Sequence, residues 1–171
     1  MTEVSIAVRL KAPDPSANTA LSTLKRINPD KCPDRLERYD YWMFVNPIDG
    51  KRTVEKIVSQ FHDIVNPNKQ SWSFSDTRSS HHSHDEKLVW IEVLVTDKVD
   101  SISENWTDIL RCSNYKTERV LYSVLWRLGY PSSISMADAR ERTLALTVTS
   151  HRDHGLLANP VSQNITLLDP A

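Results

Sequence analysis

The chain has 171 residues, enough for one domain of ordinary size or two small ones, each with a core of its own. With 25 % charged residues and a formal net charge of −1, it has no global field to draw it to nucleic acid or an anionic membrane, and its three glycines are too few for a glycine-rich phosphate loop. No apolar run reaches the roughly 20 residues that cross a bilayer, and Met1-Thr2-Glu3 lacks the basic start of a signal peptide, so a cytoplasmic protein without a membrane partner is expected.

Val4, Ile6, Val8 and Leu10 alternate with Ser5, Ala7 and Arg9, which predicts a strand with one buried face. Pro13-Asp14-Pro15 ends it. Asp14 is placed to cap a helix, and Pro15 takes the first turn, where a missing N–H costs nothing. Ala17, Ala20, Leu21, Leu24 and Ile27 make one helical stripe, stopped before Pro29. The next strand runs from about Leu36 to Val45, with Tyr39, Tyr41, Met43 and Val45 on one face and Trp42 and Phe44 on the other. Apolar residues on both faces predict cover from helices on one side and a second sheet on the other. After the turn at Asn46-Pro47-Ile48-Asp49-Gly50, the residues Val54, Ile57, Val58, Phe61 and Ile64 predict a second helix. Asn66-Pro67 stops it, and Gln70 to Phe74 reads as a third strand. Residues 1–75 thus spell β-α-β-α-β.

Residues 76–86 carry no apolar period and read as a flexible linker rich in Ser and His. Val89, Ile91, Val93 and Val95 restart the alternation. Ser103 is a candidate cap for a short helix bearing Trp106, Ile109 and Leu110, a piece without counterpart in the first half. Val120, Leu121, Val124, Leu125 and Leu128 follow helical spacing up to Gly129, and Leu144, Leu146 and Val148 alternate with threonines and alanine as in a strand. His151 to Ala158 leaves room for one or two helical turns before Asn159-Pro160, which punctuates the end of the chain as Asn66-Pro67 did the first half, and a final strand runs from Val161 to Leu168. Residues 87–171 therefore give β-α-β-α-β again, and the doubled Asn-Pro stop points to one unit written twice. The expected fold is α+β: two such halves forming a pseudo-dimer, with antiparallel sheets packed together and helices outside.

Leu10-Lys11, the Asp14-Pro15 helix opening and the string from Leu156 to Val161, Leu-Leu-Ala-Asn-Pro-Val, resemble the PurS family. That family is the small subunit of phosphoribosylformylglycinamidine synthase in purine biosynthesis. The resemblance covers nearly the whole chain as two divergent copies. Ser16-Ala17 and Leu36-Glu37 stand where the family has glycines, and Thr96-Asp97-Lys98 in the second copy replaces the Asp-Pro opening. The resemblance implies a non-catalytic subunit that bridges glutaminase and synthetase partners, and a covalent version of a family dimer.

Candidate chemistry is thin. His81, His82 and His84 beside Asp85 are metal-capable, but a linker offers no supporting shell, so a solvated segment is expected. His151, Asp153 and His154 suit a solvated turn. Cys32 lies between Lys31 and Pro33 without a histidine motif, and with Cys112 it is expected to stay reduced. Tyr39, Tyr41, Trp42, Phe44, Trp72 and Phe74 are expected in a core or interface, not on a nucleic-acid platform, because Glu37 and Asp40 accompany Arg35 and Arg38. No catalytic residue, cofactor or metal is therefore expected. Asp14, Pro15, Trp42, Phe44, Asn66, Pro67, Asn159 and Pro160 are the structural and interface residues, and a homodimer of four PurS-like units is the expected assembly. The alternative is a stand-alone small-ligand or metal-binding module that retains only the fold.

Overall fold

The computed structural model describes residues 2–76, 88–149 and 155–168. Its elements run β1 (Glu3–Leu10), α1 (Pro15–Ile27), β2 (Arg35–Val45), α2 (Lys51–Gln60), β3 (Gln70–Phe74), β4 (Leu88–Asp97), α3 (Ser101–Cys112), β5 (Arg119–Pro131), α4 (Met136–Thr147) and β6 (Gln163–Leu168). The fold is α+β, with one six-stranded sheet in the order β3-β1-β2-β5-β4-β6. β1 is antiparallel to β2 and β3, and β4 to β5 and β6. Glu118 N–H donates to the Val45 carbonyl and Asp34 N–H to that of Gly129, so β2 and β5 also run antiparallel.

The expected pair of sheets packed face to face is thus corrected to a single sheet, because β2 and β5 satisfy each other's backbone groups and the ladder continues through them. Both faces of β2 are buried as expected: Trp42 and Phe44 on one, Tyr39, Tyr41 and Val45 on the other.

Three element assignments also change. Residues 119–131 form a strand, not a helix. β5 is buried on both faces along most of its length, and such a strand reads as a continuous apolar run in which helical spacing arises by chance. Residues 136–147 form a helix, not a strand. Ser135 caps it, accepting from Asp138 N–H at 3.1 Å, and Ala139, Thr143, Leu146 and Thr147 make its buried stripe. Residues 101–112 form a full helix of three turns with Asp100 as its cap, as Asp14 caps α1, so the segment does have a first-half counterpart.

By packing, the chain divides into two compact units, each drawn from both halves of the sequence. The first comprises Met1–Ala12, Tyr39–His81 and Val99–Ser123. Its core joins Val4, Ile6, Val8, Trp42, Phe44, Val54, Ile57, Val58, Ile64 and Val65 to Leu110 and Val120. Side chains fasten α3 to β5: Ser103 Oγ accepts from Tyr122 N–H at 2.7 Å, and Thr107 Oγ1 accepts from Val120 N–H at 2.9 Å. Ser103 in turn donates to the Asp100 carboxylate. These hydroxyls take up strand donors past the last β4 partner, Val95 opposite Val124.

The second unit comprises Pro13–Arg38, His82–Lys98 and Val124–Ala171. Asp14 accepts from Ser16 N–H at 2.7 Å and Ala17 N–H at 3.3 Å, with Pro15 in the first turn of α1. Ala17, Ala20 and Leu24 of α1 then pack in one cluster with Ile91, Val93, Val95, Trp126, Leu128, Tyr130, Ala139 and Leu146. α1 is therefore buried in the unit of β4, not in that of β1, which it follows in sequence.

Candidate functional site

In the first unit, the turn at Asn66-Pro67 is built almost wholly from its own residues. Asn66 N–H donates to Gln70 Oε1 at 2.7 Å, Asn68 N–H to Asn66 Oδ1 at 3.0 Å, and Lys69 and Gln70 N–H to the Asn66 carbonyl at 3.1 and 2.8 Å. Lys11, one residue past β1, closes it: its N–H donates to the Lys69 carbonyl at 2.9 Å and its ammonium to the Pro67 carbonyl at 2.7 Å. An Asx turn followed by a proline fixes the backbone, and the lysine ties the turn to the sheet.

The second unit repeats these six bonds at Asn159-Pro160. Asn159 N–H donates to Gln163 Oε1 at 2.9 Å, Val161 N–H to Asn159 Oδ1 at 3.0 Å, and Ser162 and Gln163 N–H to the Asn159 carbonyl at 3.1 and 2.8 Å. Lys98 supplies its N–H to the Ser162 carbonyl at 2.9 Å and its ammonium to the Pro160 carbonyl at 2.8 Å. Strand register agrees: Trp42 lies opposite Ile6, and Trp126 opposite Val93.

Beside the first turn, α2 and β3 enclose an open groove of about 570 Å³. Glu55, Val58, Ser59 and His62 form one wall, and Gln70, Ser71 and Trp72 the other, with Lys11, Val65 and Pro67 at one end. Lys51 at the start of α2 lies 4.9 Å above the Phe74 ring, while the chain after α2 is bonded to Gln70, so helix and strand run in opposite directions. The basic groups Lys11 and His62 therefore sit at the Gln70 end. Trp72 meets Phe74 edge-on, with centroids 5.2 Å apart.

A charged cluster occupies the second unit. Arg127, 5 % exposed, reaches Glu37 at 2.8 Å and Glu92 at 2.9 Å, and its guanidinium lies 4.6 Å from the Trp90 ring centroid. Two carboxylates already occupy this cation, so the cluster holds β2, β4 and β5 together and leaves no charge over for an anionic ligand. Trp90 also crowds position 129, where a Cβ added to the glycine would lie 3.0 Å from its ring.

The residues singled out by sequence fall as follows. Asp14, Asn66, Pro67, Asn159 and Pro160 hold caps and turns, and Trp42 and Phe44 are core. Trp42 packs against Tyr122 and Trp106, with centroids 4.8 and 6.0 Å away, so it offers no stacking platform. His81, His82, His84, His151, Asp153 and His154 lie outside the described residues. Among the described residues, no cluster of three or more His, Cys, Asp or Glu is placed to hold a metal. Burial pushes the Cys32 thiol up, partly offset by Lys25, and so favours the protonated form. Burial likewise pushes Tyr130 up to about 12 despite its hydrogen bond with Thr143. Sequence reasoning missed Lys11, Gln70, Lys98 and Gln163. The signal was present as Asn-Pro-x-x-Gln, spelled twice. No helix of the described residues is long and apolar enough to cross a membrane. Compared with family models, curated proteins and solved structures, the chain matches none.

Proposed function

We propose that this chain is a non-catalytic assembly subunit, two PurS-like β-α-β-α-β units in one polypeptide that bridge the glutaminase and synthetase components of a phosphoribosylformylglycinamidine synthase. The observation that carries the reading is the Asn-Pro-x-x-Gln turn, made twice with the same six hydrogen bonds and each time latched by a lysine just after or at the start of the strand's exit. One such turn is ordinary. Its repetition at the same place in a doubled element order supports a duplicated unit, and the second copy of the turn shares Asn159-Pro160-Val161 with the Leu156 to Val161 string of the resemblance.

A duplicated unit of this kind works as a covalent pseudo-dimer that supplies surface, not catalytic groups. Self-association belongs to the same reading, since the terminal strand β6, Gln-Asn-Ile-Thr-Leu-Leu, carries no charge or proline to discourage pairing with a second copy. Light scattering at micromolar concentration is expected to give twice 19.6 kDa, and a mass of 19.6 kDa would remove the homodimer. The bridging role is tested by co-expressing the chain with a glutaminase and a synthetase from the same genome. Stoichiometric co-elution of all three is expected, and elution of the chain alone would refute the proposal.

A further inference from the structure

The groove between α2 and β3 lies along the end of the sheet. β3 is the terminal strand, paired among the described residues with β1 alone. Its sequence, Gln-Ser-Trp-Ser-Phe, has no charge or proline, two features that natural edge strands use to block further pairing. Trp72 sits opposite Val8 and so faces the helices, whereas Ser71 alternates to the other face; both line the groove, which therefore reaches the strand's backbone.

We propose that this groove binds the extended C-terminal tail of a partner protein, added as an antiparallel strand to β3 between the strand and α2. The inference rests on the non-catalytic assembly role and names how one partner is held. Orientation follows from charge. An antiparallel tail starts beside Phe74 and ends beside Gln70, which brings its terminal carboxylate to Lys11 and His62. Lys11 gives one ammonium hydrogen to Pro67 and keeps two for the carboxylate. Backbone bonds to Gln70–Ser73 supply affinity, and every second side chain of the tail enters between Trp72 and Val58, which favours apolar residues there. Glu55, midway along the helical wall, disfavours acidic residues at the internal positions.

The test uses the full chain and a display library of random heptapeptides with free C-termini. The most enriched peptide is synthesised with an N-terminal fluorophore, as free acid and as C-terminal amide, and titrated by anisotropy. The free acid is expected to bind at least tenfold more tightly than the amide. Lys11→Met is expected to weaken the free acid at least fivefold and leave the amide unchanged. Because Lys11 also holds the Pro67 turn, His62→Ala provides a second variant, with the same selective loss at smaller size. Hydrogen exchange at Gln70–Ser73 is expected to slow on adding peptide at fixed protein concentration. No enrichment, equal binding of acid and amide, or protection of β3 that grows with protein concentration without peptide would each overturn the inference, the last by assigning the edge to a second copy. A chain that co-elutes with glutaminase and synthetase but takes no peptide would keep its proposed role and lose only this mode of attachment.

Discussion

Gly50 and Gly155 both have a positive φ, +56° and +59°, in different surroundings. Alanine at either position pays the left-handed conformation, about 1–2 kcal/mol. At Gly50 that is the whole cost, since nothing lies within 4 Å of the added Cβ. At Gly155 the Cβ would stand 1.8 Å from the Val148 carbonyl oxygen and 2.2 Å from its carbon. Relief requires backbone movement in the segment where Leu156 N–H donates to Leu146, Ala158 N–H to Thr147 and Thr149 N–H to Ala158. Losing those three bonds at about 1 kcal/mol each adds roughly 3 kcal/mol. Gly155→Ala is thus expected to lower stability by about 4–5 kcal/mol, against about 1–2 kcal/mol for Gly50→Ala. Urea unfolding followed by tryptophan fluorescence gives both values on one scale. Costs within about 1 kcal/mol of each other would refute the crowding of Gly155 against Val148.

Lys11→Met and Lys98→Met each remove one ammonium bond to a proline carbonyl and are expected to cost about 1–2 kcal/mol apiece, read as similar falls in Tm; a loss at one site only would break the equivalence of the two turns. Tyr130 is held protonated by burial, with its pKa up near 12 against about 10 unfolded, so its contribution is complete below pH 10 and is lost as pH rises from 10 to 12. Tyr130→Phe is expected to flatten the alkaline fall in stability over that window, and an unchanged slope would place the phenol in contact with water. Proteolytic cleavage between residues 77 and 87 is expected to leave both fragments co-eluting with native circular dichroism, because Ala17, Ala20, Leu24 and Leu36 share a core with Ile91, Val93 and Leu128. Fragments that separate as folded species would show that each sequence half is self-sufficient.

Legibility in the sequence depended on how many faces an element buries. β1 and β4 alternate, α1 announces its start with Asp14-Pro15, and α2 carries one compact stripe, so all four could be read directly. β5 could not, since Val120, Ser123 and Leu125 to Tyr130 are all buried and two-sided burial erases the period. α4 hides for the opposite reason. It buries Thr143 and Thr147 while exposing Met136 and Leu144, and the Thr147 hydroxyl is satisfied within the helix by the Thr143 carbonyl at 2.6 Å. The side-by-side join of β2 and β5 is a long-range pairing with no local signature. The Asn-Pro stops were visible, but the lysines that latch them are more than 50 residues away in sequence, and only folding brings them together.

The central proposal is that the chain bridges a glutaminase and a synthetase. It is tested most directly by assaying those two components with and without the chain, using either glutamine or ammonium as nitrogen donor. The account predicts that glutamine-driven product formation requires the chain while ammonium-driven formation does not. Equal glutamine-driven rates in its presence and absence would contradict it.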